Sequence, residues 1–149
     1  MTAFQISPYS LRIDGGQRVQ SMGLMMRVLA SAGQTNGAFN LFDVICPIGF
    51  ATPLHIHYAE DVAVFVLEGV LTFFWGEEKR EATAGSYFFQ PKGIPHGFRV
   101  EGETPARILY LTVPAGLDGF VIGHATTSDF DCTRDAARYK IENLSPLPE

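Results

Sequence analysis

Fifteen glycines and nine prolines cut this chain of 149 residues into short apolar runs, and that punctuation points to a fold built from short strands. The runs are rich in β-branched and aromatic residues, which suit a pleated, half-buried surface. Strands are expected over 24–29, 38–46, 52–57, 62–67, 71–75, 87–90, 96–100 and 107–113. Such a succession of short strands describes an all-β sandwich or barrel. The turns between them are specific. Glu68-Gly69 joins two apolar runs as a tight hairpin, and Gly76-Glu77-Glu78 makes a second, polar one. Pro91-Lys92-Gly93-Ile94-Pro95 cannot be a regular strand, because proline removes ladder donors. It reads as a rigid loop that delivers His96 to the start of the next strand.

After Val113 the pattern changes. Pro114-Ala115-Gly116 breaks the strand, 117–124 reads as a short helix capping one end of the barrel, and 133–139 reads as a second. Asp131 or Thr133 is a candidate N-cap for the latter. One domain is expected, divided into an N-terminal arm over 1–20, a barrel over 21–114 and a helical cap and tail over 115–149. The formal charge of -5 comes with no basic run, so nucleic acid is not an expected partner. An apolar fraction of 46% with twelve phenylalanines argues against disorder. No apolar run approaches the ~18 residues of a spanning helix, so no membrane partner is expected. The first residues, Met1-Thr2-Ala3-Phe4-Gln5, lack the basic and apolar regions of a secretory signal. Cys46 and Cys132 lie far apart with no C-x-x-C spacing, as free thiols in a reducing compartment would, and a cytoplasmic protein is expected.

Three of the four histidines sit in two of these segments. His55 and His57, in Pro53-Leu54-His55-Ile56-His57, are two apart and share a strand face. His96, entering from a neighbouring strand, would complete a three-nitrogen metal site with open positions for substrate or dioxygen. With His55 and His57 inward, parity places Val62, Val64 and Val66 on the interior, and Phe98 and Val100 follow His96 there. These residues are expected as core packing or as the apolar lining of a pocket. Gln90 is a candidate hydrogen-bonding group toward a ligand. His124 is either a satisfied core histidine or a group leaning from the cap helix toward the cavity. Tyr58, Glu60 and Asp61 are expected as solvated residues near the barrel mouth, and Cys46 as a small packed hydrophobe.

The two segments resemble the paired motifs of the cupin superfamily. Gly49, His55-Ile56-His57 and Gly69 match the first motif, and Gly85, Pro91, Gly93 and His96 match the second. The resemblance is to the small single-domain, quercetin-dioxygenase-like branch, and it implies a double-stranded β-helix, or jelly-roll barrel, with short C-terminal helices. It also implies a divalent transition metal (Fe, Mn, Ni, Cu or Zn) on His55, His57 and His96, and a homodimer. Two positions depart from the pattern. Counting back seven from Gly69 puts the family's metal-binding glutamate at Val62, and Val100 stands where asparagine is frequent. Asp61 is one residue out of register, on the other face unless a bulge intervenes. Three-histidine cupins, including cysteine dioxygenases and diketone-cleaving dioxygenases, are similar in lacking that carboxylate. The implied function is a dioxygenase-like reaction on a small apolar or aromatic enol or hydroxyketone. Two alternatives stay open: cyclase or isomerase chemistry with the metal as Lewis acid, and a non-catalytic small-molecule-binding cupin.

Overall fold

The computed structural model describes residues 6–126 and 132–149, so the candidate cap Asp131 and the side chain of Thr133 lie outside the description. All eight expected strands are present, as β2 (Leu24–Ala30), β3 (Asn40–Cys46), β4 (Leu54–His57), β5 (Asp61–Glu68), β6 (Val70–Trp75), β8 (Tyr87–Gln90), β9 (His96–Glu101) and β10 (Ala106–Val113). Three more strands join them: β1 (Gln17–Ser21), β7 (Glu78–Ala82) and β11 (Ile141–Ser145). The helices are α1 (Ala32–Thr35), α2 (Leu117–Thr126) and α3 (Cys132–Arg138). One sheet runs β1-β2-β3-β10-β5-β8 and the other β11-β4-β9-β6-β7, with every pairing antiparallel. The architecture is an all-β jelly roll with short C-terminal helices.

The unexpected strands lack the β-branched and aromatic runs that mark the others. β7, Glu-Lys-Arg-Glu-Ala, is exposed except at Ala82, and its charges suit a sheet edge, where they discourage pairing with other chains. β11 buries only Ile141, and β1 falls in the stretch expected as an arm.

The core lies between the sheets. Phe42, Leu71, Phe73, Val62 and Val66 are wholly inaccessible there, and Phe74, on the other face of β6 beneath Lys79 and Arg99, is buried as well. Phe73 stacks on Phe88 at 4.2 Å between centroids, which joins β6 to β8 across the barrel. Gly69 turns the β5–β6 hairpin with φ +89°, and a Cβ there would stand 2.7 Å from Ala106 Cα. Only glycine meets both conditions without strain.

Two polar groups fix the frame. Asn40 accepts from the N–H groups of Gly116 and Asp118 at 2.9 and 3.2 Å and donates to the Ala30 carbonyl at 3.2 Å. Asp118 in turn accepts from the Ala32 N–H at 2.8 Å, so the start of α2 is tied to the barrel. On the outer face of the first sheet, Asp43 joins β2, β3 and β10. It accepts two bonds from Arg107, at 2.9 and 2.7 Å, and one from Arg27 at 3.0 Å. The Arg107 hydrogen bond chiefly holds the Asp43 carboxyl below its ordinary 3.8, with Arg27 assisting against the opposing effect of burial. A folded value below the unfolded one stabilises the protein above the unfolded value, and that contribution disappears as pH falls through the folded value. Asp43→Asn is therefore expected to cost about 2 kcal/mol at neutral pH. Urea denaturation checks this, since the difference from the wild type should shrink markedly by about pH 2.5. An equal difference at both pH values would contradict the assignment.

Candidate metal centre

β4 and β9 meet at one register pair, His55 opposite His96, and this pairing brings the two histidine segments together. The rigid loop is docked onto the same place. Gly93 donates its N–H to the His57 carbonyl at 2.8 Å, and Lys92 donates its own to Asp61 Oδ1 at 2.9 Å. Thr52 accepts from the Phe98 N–H through Oγ1 at 3.0 Å, which holds β9 against the segment before β4. The three rings lie 4.5 to 5.2 Å apart between centroids. One nitrogen from each falls within 4.8 Å of the other two, a grouping that a metal ion could bridge.

The other nitrogen of each ring is already committed. His55 Nδ1 lies 2.7 Å from the Pro53 carbonyl oxygen, His96 Nδ1 lies 3.1 Å from that of Ile94, and His57 Nδ1 lies 2.7 Å from Glu60 Oε1. A carbonyl oxygen can only accept, so the Nδ1 atoms of His55 and His96 must carry protons. Burial, followed by the neighbouring histidines, lowers His55 to about 4 and His96 to about 3. Both rings are therefore neutral near pH 7, and a neutral ring protonated at Nδ1 has a bare lone pair at Nε2. His96 Nε2 is buried and meets no hydrogen-bond partner among the described residues. Such an orphaned lone pair, beside two similar rings, fits a cation.

The histidines open onto a cavity of about 340 Å³ between the sheets. Gln90 and Phe98 line it. Val62, Val64, Val66 and Val100 do not; they are core residues, exposed by 3% or less. Valine is short, and the longer side chains of Gln90, Tyr110 and Ile108, which pair with Val62, Val64 and Val66 in register, line the cavity instead. Of the two readings of His124, the lean toward the cavity does not hold. Its Nδ1 lies 3.1 Å from Ser21 Oγ and accepts from the Met22 N–H at 3.3 Å, so it joins α2 to the β1–β2 hairpin rather than lining the cavity. Burial pushes the Cys46 thiol up to about 12, which keeps it a protonated packing group.

Glu60, expected in solvent, is only 4% exposed and bonded to His57. The available signal was an acid three residues beyond the second histidine, close enough to fold back across the bend after β4. Asp61 is directed instead to the loop at Lys92. Tyr110 also lines the cavity, and strand parity from buried Ala106 and Ile108 could have found it. Burial first, and then the charge of Glu60, raises its phenol well above the ordinary range, so the hydroxyl stays protonated. Leu117, Phe120 and Val121 of α2 close the apolar side, and Asn143 of β11, opposite His55, lies at the polar one.

These features agree with the comparisons to known proteins. A cupin-domain family model matches residues 42–113. Over 103 residues the chain is 28% identical to quercetin 2,3-dioxygenase of Bacillus subtilis, covering 69% of this chain and 31% of that protein. It is 32% identical over 75 residues to the uncharacterized protein MJ1618 of Methanocaldococcus jannaschii, covering 50% of this chain and 60% of that one. The chain thus spans less than two thirds of either curated relative. Among solved structures, an RmlC-like cupin from Shewanella frigidimarina superposes with a TM-score of 0.65 at 20% identity, covering 76% of this chain and 96% of that one. Motif spacing, jelly-roll topology and the family match over residues 42–113 together support the cupin superfamily as the family of this chain.

Proposed function

We propose that this cupin is a metal-dependent enzyme with dioxygenase-like chemistry. In this reading it acts on a small apolar or aromatic enol or hydroxyketone through an ion held by His55, His57 and His96. The supporting observation is the hydrogen-bonding of the three rings: each Nδ1 faces an oxygen acceptor, and the buried Nε2 of His96 has no partner among the described residues. A divalent transition metal bound there would supply Lewis acidity toward an enol oxygen and, if redox-active, the activation of dioxygen. The B. subtilis relative, named for dioxygenase activity, supports the oxygen-consuming form of the reading.

The chain's own residues bind, orient and shield. Apolar walls from both sheets and α2 keep bulk water from a small bound molecule, which strengthens the few polar contacts made inside. The described lining residues include no carboxylate and no amine, and Val62 leaves the family's glutamate position without a base. A substrate must therefore shed its proton to solvent on entry, which favours acidic enols over simple ketones. The missing carboxylate also favours a second reading, cyclase or isomerase chemistry in which no oxygen is consumed.

Glu60 holds His57 in the orientation that leaves Nε2 bare and makes that ring a stronger donor. Glu60→Gln keeps the shape and removes the charge. Its expected effect is a loss of about 10- to 100-fold in metal affinity, measured by chelator competition. Unchanged affinity would contradict the role.

The function itself is tested by oxygen uptake and anaerobic turnover of the metal-loaded protein on a flavonol and a β-diketone. Oxygen consumption that His96→Ala reduces by at least about 100-fold is expected. Turnover that persists without oxygen would instead establish the cyclase or isomerase reading. No turnover of either kind by metal-loaded protein would contradict both.

A further inference from the structure

We infer that Gln90 is the recognition group of the cavity, its side-chain N–H donating to an oxygen of a small monoanionic enol or hydroxyketone. The inference rests on the metal reading of the histidine cluster. It starts from two orphaned nitrogens. Among the described residues, three buried side-chain polar atoms lack any hydrogen-bond partner: Gln90 Nε2, His96 Nε2 and Thr112 Oγ1. The first two belong to residues lining the same cavity. Buried polar groups are rarely left unbonded, since the unmade bond costs stability. Packing alone would be better served at position 90 by an apolar side chain of similar length.

Position 90 has a second meaning in the fold. It ends β8 and is the register partner of Val62, where the family's carboxylate is expected. Here the cavity offers a neutral amide from the neighbouring strand in place of that carboxylate. A carboxylate would repel an oxyanion, whereas an amide N–H attracts one. Charge points the same way. Three neutral imidazoles leave a divalent ion its full charge, and Glu60 behind His57 offsets one unit, so a monoanion suits the apolar cavity. A ligand with two neighbouring oxygens can place one on the ion and offer the other to Gln90.

The test uses full-length protein loaded with zinc, which is redox-inert and separates binding from turnover. Isothermal titration with maltol, a small hydroxyketone, is compared for the wild type and Gln90→Met, with zinc affinity measured on the same samples. The expected result is maltol binding weakened about tenfold or more in the variant while zinc still binds. Thermal unfolding of the metal-free proteins supplies an independent reading. Removing an orphaned amide should raise the midpoint by about 2–4 °C. Gln90→Leu replaces the methionine variant if the latter does not fold. Equal maltol affinity in both zinc-loaded proteins would overturn the role of Gln90 and leave the metal reading standing. Failure of the zinc-loaded wild type to bind maltol, or a lowered midpoint in the variant, would also overturn it. Wild-type protein that takes up no zinc would overturn the metal reading and this inference together.

Discussion

The site depends on the short seam between β4 and β9, where His55 faces His96 and Gly93 donates to the carbonyl of His57. Few backbone contacts hold this seam, yet they set the relative positions of three rings from two segments forty residues apart in the chain. The prolines flanking Gly93 restrict the loop, so its docking costs little conformational entropy. The jelly roll supplies the surrounding stiffness: Phe73 stacked on Phe88, the Asp43 junction across three strands, and Asn40 securing the start of α2.

The site has a consistent polarity. Outward-facing ring nitrogens are satisfied by Pro53, Ile94 and Glu60, whereas the inward-facing nitrogen of His96 and the amide of Gln90 are not. Folding positions these groups but leaves their bonding to something else. That is how a binding site differs from a core, where nearly every polar group meets its partner within the chain. The absence of a carboxylate at Val62 fits the same pattern, because the remaining negative charge lies behind His57 rather than among the inward nitrogens.

Much of the fold was legible because its information is local. Proline and glycine marked the turns, short β-branched and aromatic runs marked eight strands, and motif spacing marked the histidines. Charged β7 and the largely exposed β11 carry no such runs, and only pairing with β6 and β4 makes them strands. The site was legible as far as parity reaches: parity identified the histidine face but not how far each inward side chain extends. Valines 62, 64 and 66 share the inward face, but longer partners on β8 and β10 line the cavity. Glu60 was missed because its contact with His57 crosses a bend, where strand periodicity gives no guidance. The two readings of His124 could not be separated along the chain, because its hydrogen bonds run to the β1–β2 hairpin, more than one hundred residues away in sequence.

His55 and His96 carry their protons on Nδ1, and with His57 they offer their remaining ring nitrogens to one ion. Long-range proton–nitrogen correlation spectra of the histidine-labelled, metal-free protein near neutral pH test this central claim most directly. The expected spectra show His55 and His96 as neutral Nδ1–H tautomers, with the Nε2 resonances of His55, His57 and His96 shifting together when one equivalent of zinc is added. Either of those two rings found as the Nε2–H tautomer, or spectra that ignore zinc, would contradict the claim.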